Sequence, residues 1–164
     1  MPVRKILTIP HHVLRQVAIP ASHCSAEWSH IVQDLWDTLD DHVGVGIAAP
    51  QIGESIRIVV VDASRAKRPV LNHGRLTLVN PLILERAGRI SFREGCLSVP
   101  DYVAHIERSA RIVVSAFDAN CQPLTLEAVG FEAVVIQHEL DHLDGILFID
   151  RVRRARDLRP RPKM

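Results

Sequence analysis

The sequence predicts an α+β fold, with mostly antiparallel sheets packed around a central C-terminal helix and an amphipathic helix near the N-terminus. The first observation is the helical spacing of apolar residues over residues 26–42. The second is a series of short strand-like segments through the middle of the chain. The third is another helical segment at residues 130–143, with Gly145 just beyond it as a stop signal. Helix, several strands, then helix is an order typical of α+β proteins.

The N-terminal helix is predicted from a stripe of apolar residues at helical spacing: Trp28, Ile31, Val32, Leu35, Trp36 and Leu39. Ser25 is its expected N-cap. The preceding residues 15–25 mix proline, alanine and polar residues, so we expect an irregular crossing there.

The predicted strands have β-branched or alternating patterns and cover residues 57–62, 76–79, 82–89, 102–106, 111–118 and 123–127. We expect Asn80-Pro81 and Ala87-Gly88 to interrupt the strands, because proline and glycine disrupt the hydrogen-bond pattern between strands. Residues 64–74 are expected to form a surface loop.

Composition indicates one globular domain in a reducing compartment. The chain has 164 residues, 47% of them hydrophobic and 24% charged, and it contains no apolar run that could span a bilayer and no signal-peptide pattern. Its three cysteines form no C-x-x-C pair, and we interpret Cys24 and Cys121 as structural or incidental. These features favour a cytoplasmic protein with no membrane partner.

The net charge of +1 hides an asymmetry between the body of the chain and its end. Residues 151–164 carry six arginines and one lysine against one aspartate, a balance of +6, so the remaining 150 residues sum to −5. We therefore divide the chain into a single catalytic domain, residues 1–150, and a short basic C-terminal tail, residues 151–164.

The segment with the clearest chemistry is His138-Glu139-Leu140-Asp141-His142, an H-E-x-x-H motif in the second predicted helix. Two histidines four positions apart lie on one helical face, so both imidazoles can bind one metal ion. The glutamate between them can hold the attacking water without being a ligand. The motif therefore predicts a metal-dependent hydrolase.

The third metal ligand must come from upstream of the motif. One protease class continues to a third histidine, but Phe148 occupies that position here. Another class uses a glutamate from a later helix, yet only aspartates follow before Met164. Cys96 is the best candidate, because a thiolate is a strong ligand for a borderline-soft divalent ion. Two histidines and one cysteine leave a fourth position open, as a catalytic site requires.

Three segments together resemble the signatures of bacterial peptide deformylases: GVGIAAPQ at residues 44–51, EGCLS at residues 94–98 and QHELDH at residues 137–142. The flanking chain, from about residue 6 to residue 149, is also similar to that family. The resemblance implies removal of the formyl group from N-terminal formylmethionine of new polypeptides, with release of formate. It implies one divalent metal held by Cys96, His138 and His142, commonly Fe²⁺ in the cell, with Zn²⁺, Ni²⁺ or Co²⁺ as substitutes. The implied partners are N-formylmethionyl peptides and nascent chains, with no DNA.

The roles of the remaining site residues follow from the resemblance and from helical geometry. Glu139 is expected to act as general acid and base, and the resemblance assigns the oxyanion donors to the Gln51 side chain and the Leu97 N–H. It also implies a pair between Glu94 and Arg108. The expected substrate-binding residues line the glycine segments and the helical face one turn before the motif: Gly44, Val45, Gly46, Gly95, Phe131, Val134 and Val135.

Several alternatives stay open at the level of the sequence. The chain could be a small metalloendopeptidase, or a homologue that binds metal or formylated peptides without catalysis. Asp141 could orient the metal ligands or simply form a salt bridge on the helix. The tail is interpreted as solvated and disordered in preference to a short basic helix, and its arginines are a hypothesis for weak contact with ribosomal RNA.

Overall fold

The computed structural model describes residues 3–22 and 26–162. The predicted N-cap Ser25 and the cysteine at position 24 lie outside the described residues. Within them, the chain forms two α-helices, α1 (Ala26–Asp40) and α2 (Gly130–Leu143). Its strands are β1 (Gly46–Ala48), β2 (Ile58–Asp62), β3 (Arg75–Ala87), β4 (Ile90–Cys96), β5 (Val99–Arg108), β6 (Arg111–Phe117), β7 (Pro123–Val129) and β8 (Leu158–Pro160).

The strands form two antiparallel sheets, which confirms the predicted fold class. The larger sheet has the order β1-β2-β3-β6-β7, and the smaller has the order β4-β5-β8. Every pairing between these strands is antiparallel. β1 and β4 each pair with one neighbour, so each presents an open edge.

The two helices cover opposite faces of the larger sheet. β2 is buried along its whole length, and its side chains alternate between the two sides. Val59 and Val61 belong to the apolar cluster that includes α2, whereas Ile58 and Val60 belong to the cluster that includes α1. In α2, every residue from Glu132 to Leu143 is buried, so this helix lies in the protein interior. No helix within residues 3–22 and 26–162 is long and apolar enough to cross a membrane.

The predicted interruption at Asn80-Pro81 is wrong. β3 continues through it as one strand, although the register with β6 shifts between Val79 and Leu82. Asn80 adopts a positive φ of 51°, and its side-chain amide exchanges two hydrogen bonds with the backbone of Ala21. Asparagine tolerates this conformation, so the strand bends at a bulge and does not end.

The prediction of a disordered tail is also wrong, and so is the alternative of a basic helix through residues 151–159. Short 3₁₀ turns at Phe148–Arg151 and Ala155–Asp157 lead into β8, which pairs with β5. Leu158 packs against the apolar cluster beneath the smaller sheet. Backbone pairing and this apolar contact together hold the segment in place.

Candidate active site

The central helix α2 carries His138, Glu139 and His142 into the interior, where all three side chains are buried. Positions four apart on a helix share a face, and the two imidazole ring centroids are 5.2 Å apart. Such burial of three ionisable groups is costly unless they have partners or a metal ion.

Cys96 reaches this helix from the end of β4, at the hairpin that connects β4 to β5. Its Sγ lies 3.3 Å from His142 Nε2. The candidate ligand atoms of Cys96, His138 and His142 all lie within 4.8 Å of one another. Two imidazole nitrogens and one thiolate are the kinds of donor that bind a single borderline-soft divalent ion. The residues therefore fit one divalent metal.

The charge state of the site also favours a metal. Burial would raise the pKa of the Cys96 thiol, but the neighbouring His142 and His138 outweigh it and hold that pKa well below its usual range. Burial would lower the pKa of His138, but Cys96 and Glu94 outweigh it and raise that pKa well above its usual range. Since ligands bind metals in their deprotonated form, metal binding releases the imidazole proton and uses the thiolate already favoured here.

A buried carboxylate orients His138. Glu94 Oε1 lies 2.8 Å from His138 Nδ1, which fixes the ring and leaves Nε2 facing Cys96. Arg108 donates to both oxygens of Glu94, over 2.6 Å and 2.9 Å. The structure thus contains the Glu94–Arg108 pair that the resemblance implied. Burial would raise the pKa of the Glu94 carboxyl, but His138 and Arg108 outweigh it and hold that pKa below its usual range.

The same arginine connects this pair to Asp141, which confirms the interpretation of Asp141 as a salt-bridged helix residue. Arg108 Nη1 donates to Asp141 Oδ2 over 2.9 Å, and Arg151 donates to both Asp141 oxygens over 2.6 Å and 2.8 Å. Asp141 is therefore a salt-bridged helix residue and also a support for the arginine that orients Glu94. Charges alternate along the row from His138 through Glu94, Arg108 and Asp141 to Arg151.

Glu139, the predicted general base, is buried between the two histidines of the motif. Its Oε1 is buried and has no hydrogen-bond partner in the described part of the chain. Burial raises the pKa of Glu139 to about 6, although His138 and His142 act in the opposite direction. Gly46 of β1 lies against this side chain, because a Cβ at that position would be 2.9 Å from Glu139 Oε2. The absence of a side chain at Gly46 therefore leaves room for the base.

Gln51 directs its side-chain amide towards the cysteine. Its Oε1 accepts a hydrogen bond from the Ala48 N–H over 2.9 Å, which fixes the orientation of the amide. Its Nε2 then lies 3.1 Å from Ser98 Oγ and 3.6 Å from Cys96 Sγ. An amide donor held in place beside the metal ligand is the arrangement that oxyanion stabilisation requires. Leu97 follows the ligand directly in the hairpin turn and lines the same cleft.

The cleft in front of these residues has a volume of about 270 Å³. All the residues predicted to bind substrate line it: Gly44, Val45, Gly46, Gly95, Phe131, Val134 and Val135. Their contact with substrate stays a prediction. Gly44 has no steric need to be glycine, since a Cβ there would meet its nearest neighbours at 3.6 Å and 3.7 Å.

The sequence-based prediction missed four residues of the cleft, namely Val43, Phe92, Arg93 and Arg161. Phe92 could have been found from its place four residues before Cys96; its ring meets the Phe131 ring edge to face at 5.7 Å. Arg161 had no such signal, because the contact arises only when β8 pairs with β5.

The family model for polypeptide deformylases matches residues 3–157. The chain belongs to this family. A peptide deformylase from Brucella suis biovar 1 (strain 1330) is 40% identical over 157 residues, which cover 95% of this chain and 88% of that protein. A peptide deformylase structure from Legionella pneumophila is 37% identical with a TM-score of 0.84, covering 92% of this chain and 86% of that one. A class I type b peptide deformylase structure from Acinetobacter baumannii with bound Met-Ala-Ser is 32% identical with a TM-score of 0.84, covering 92% of this chain and 99% of that one.

Membership confirms the enzyme class predicted from the three sequence segments. A peptide deformylase is a hydrolase that removes the N-formyl group from nascent peptides. Membership in this family also excludes the small metalloendopeptidase that the sequence left open. The match extends over nearly the whole chain and not over the H-E-x-x-H motif alone.

Proposed function

We propose that the chain performs deformylation with one metal ion bound by Cys96, His138 and His142, and with Glu139 as general acid and base. The observation that carries the proposal is the convergence of these three ligand atoms within 4.8 Å of one another, beside a buried glutamate. We propose Fe²⁺ as the ion in the cell, with Zn²⁺, Ni²⁺ or Co²⁺ as substitutes. Zinc binds such ligands more tightly, so iron use would reflect availability and reactivity.

The residues divide the reaction between them. Cys96, His138 and His142 would hold a divalent ion, whose charge would lower the pKa of a water molecule there to roughly 7. Glu139 takes the proton as the water oxygen adds to the formyl carbon, and it then gives a proton to the leaving amine as the C–N bond breaks. Formate and the free N-terminus are the products. The Gln51 amide and the Leu97 N–H donate hydrogen bonds to the oxyanion, where one such donor contributes about 3 kcal/mol in other hydrolases.

The cleft provides for the methionine and for the peptide that follows it. Val134 and Val135 lie one helical turn before His138, and Phe131 lies two turns before it. Together they form an apolar wall that suits an unbranched thioether side chain. Strands β1 and β4 present open edges on the two sides of the cleft. An extended peptide can pair with such edges as an added strand. The bound Met-Ala-Ser of the Acinetobacter baumannii structure supports a peptide of this type as the ligand.

Formate release after anaerobic purification tests the proposal. Protein prepared without oxygen is assayed for metal content and for formate from formyl-Met-Ala-Ser, with acetyl-Met-Ala-Ser as the control substrate. We expect about one metal ion per chain, formate and a free N-terminal amine from the formylated peptide, and no free N-terminal amine from the acetylated one. Glu139→Ala should keep the metal and lose turnover. Iron-loaded protein that makes no formate would refute the catalytic proposal and favour a non-catalytic binding homologue.

We also propose that the enzyme works in the cytoplasm on nascent chains and makes a weak contact with the ribosome through its basic C-terminal segment. Deleting this segment is not a clean test, because Arg151 is paired with Asp141 and Leu158 is packed against the core. The exposed Arg153 and Arg159 are better targets. Their double replacement by glutamate should reduce ribosome co-sedimentation at low salt, and unchanged co-sedimentation would remove the idea.

A further inference from the structure

The C-terminal segment places one arginine at the mouth of the active-site cleft. β8 ends at Pro160, but the Arg161 N–H still donates to the Asp101 carbonyl over 2.8 Å, so pairing with β5 continues one residue further. β8 lies on the side of β5 away from β4, and the Arg161 side chain extends over β5 to line the cleft.

The guanidinium of Arg161 lies directly on strand β4 beside a metal ligand. A Cβ on Gly95 would be only 2.5 Å from Arg161 Nη2, so the arginine occupies space that any other residue at position 95 would fill. Val103 Cγ1 lies 3.5 Å from the same point. Gly95 directly precedes Cys96, and consecutive Cα atoms are about 3.8 Å apart. The positive charge therefore lies over the residue that directly precedes the candidate ligand Cys96.

Arg161 has no acidic partner among the described residues, whereas three other arginines of this segment do. Arg151 pairs with Asp141, Arg153 approaches Glu107, and Arg154 pairs with Asp157. Within residues 3–22 and 26–162, the Arg161 side chain forms no ion pair or hydrogen bond, and it is exposed. Its donors are thus available to a ligand in the cleft.

We propose that Arg161 binds the formylated peptide on the C-terminal side of the methionine, donating to its main-chain carbonyl oxygens and to carboxylates there. A peptide paired along β4 from Cys96 passes Gly95 first and advances about 3.3 Å per residue. It therefore meets the guanidinium one or two residues beyond the methionine. This inference rests on the proposed function. It identifies Arg161 as a specificity-determining residue that favours substrates with a carboxylate at the second or third position.

The test compares variants on substrates of different length. The metal-loaded wild type, Arg161→Ala and Arg161→Lys are assayed on formyl-Met-Ala-Ser, its C-terminal amide and formyl-Met amide, which ends before Arg161 can reach it. Arg156→Ala is the matched control, because Arg156 carries the same charge in the same segment but does not line the cleft.

We expect Arg161→Ala to raise KM for formyl-Met-Ala-Ser about five- to tenfold, because the variant loses a charge-assisted hydrogen bond at an exposed site. Its kcat should stay within about twofold of the wild-type value. The KM for the amide should rise less, and both constants for formyl-Met amide should not change. Arg161→Lys should recover part of the loss, because it keeps the charge without the planar fork. Added salt should raise the wild-type KM more than that of Arg161→Ala.

Two results would overturn the proposal. Equal KM values for Arg161→Ala and Arg156→Ala on formyl-Met-Ala-Ser would show that Arg161 does not contact the peptide. An equal loss on formyl-Met amide, or a loss of bound metal, would show that the substitution disturbs the metal site. Wild-type protein that releases no formate from any substrate would instead refute the proposed function itself.

Discussion

Replacing Glu139 with glutamine is expected to stabilise the metal-free protein. The same replacement should abolish turnover by the metal-loaded enzyme. Glu139 is 4% exposed, and its Oε1 has no hydrogen-bond partner in the described part of the chain. The side chain is therefore ionised at neutral pH only at a cost in stability. Glutamine has the same shape and no charge, so the variant removes the charge alone.

The size of this effect follows from the pKa of Glu139, which burial raises from 4.5 to about 6. Between these values the folded state binds more protons than the unfolded state, so the stability of the wild type falls as the pH rises. The penalty is absent well below pH 4.5 and complete above the folded pKa. The variant should therefore be more stable by roughly 1 kcal/mol at pH 5 and by about 2 kcal/mol at pH 7.5.

Urea unfolding of chelator-treated, reduced protein at pH 5, 6 and 7.5 measures this difference. Glu85→Gln is the control, since Glu85 lies at the surface and makes only a 3.6 Å pair with Arg111. Its stability should stay within about 0.5 kcal/mol of the wild type at each pH. The reasoning is refuted if Glu139→Gln is no more stable than the wild type at pH 7.5, or if the difference does not grow with pH.

Three further predictions concern the residues around this base. Gly46→Ala should lower kcat/KM by tenfold or more in a formate assay, because its Cβ displaces the Glu139 carboxylate. Glu94→Gln should weaken metal affinity about 10- to 100-fold in a chelator competition, because His138 loses its charged partner. The kcat/KM of the metal-loaded enzyme should fall at acidic pH, because Glu139 becomes protonated; a profile that stays flat under acidic conditions in which the metal remains bound would contradict its role as base.

The helix and its motif could be predicted from sequence because their determinants are local. The predicted bounds of α2, residues 130–143, are those observed, and the ligand spacing follows from the helical repeat. Cys96 lies 42 positions before His138, yet ligand chemistry and the failure of every downstream alternative identified it. The structure brings these residues together as the sequence predicted.

The edge strands could not be predicted because tertiary pairing creates them. β1 consists of Gly46, Ile47 and Ala48, and glycine and alanine have low strand propensity; the strand exists because β2 pairs with it. β8 contains Pro160. An edge strand tolerates proline, but a proline in the sequence argues against a strand, so the sequence pattern does not reveal β8. These edges enclose the cleft, so the substrate-binding surface was the least predictable part of the site.

The C-terminal segment contacts the active site at two points. The sequence-based division into a domain and a tail assigned this segment to the tail and therefore did not predict either contact. Arg151 holds Asp141, which supports Arg108 and through it the row of charges that ends at a metal ligand. Arg161 lies on Gly95 at the cleft mouth. Removing one partner of a buried ion pair leaves an uncompensated charge and costs about 3–5 kcal/mol, so the loss of Arg151, which is partly exposed, should cost less than the loss of Arg108. A truncation at residue 150 would remove both contacts, and it would weaken the metal site and the peptide site together. Single substitutions in this segment are therefore needed to separate the two effects.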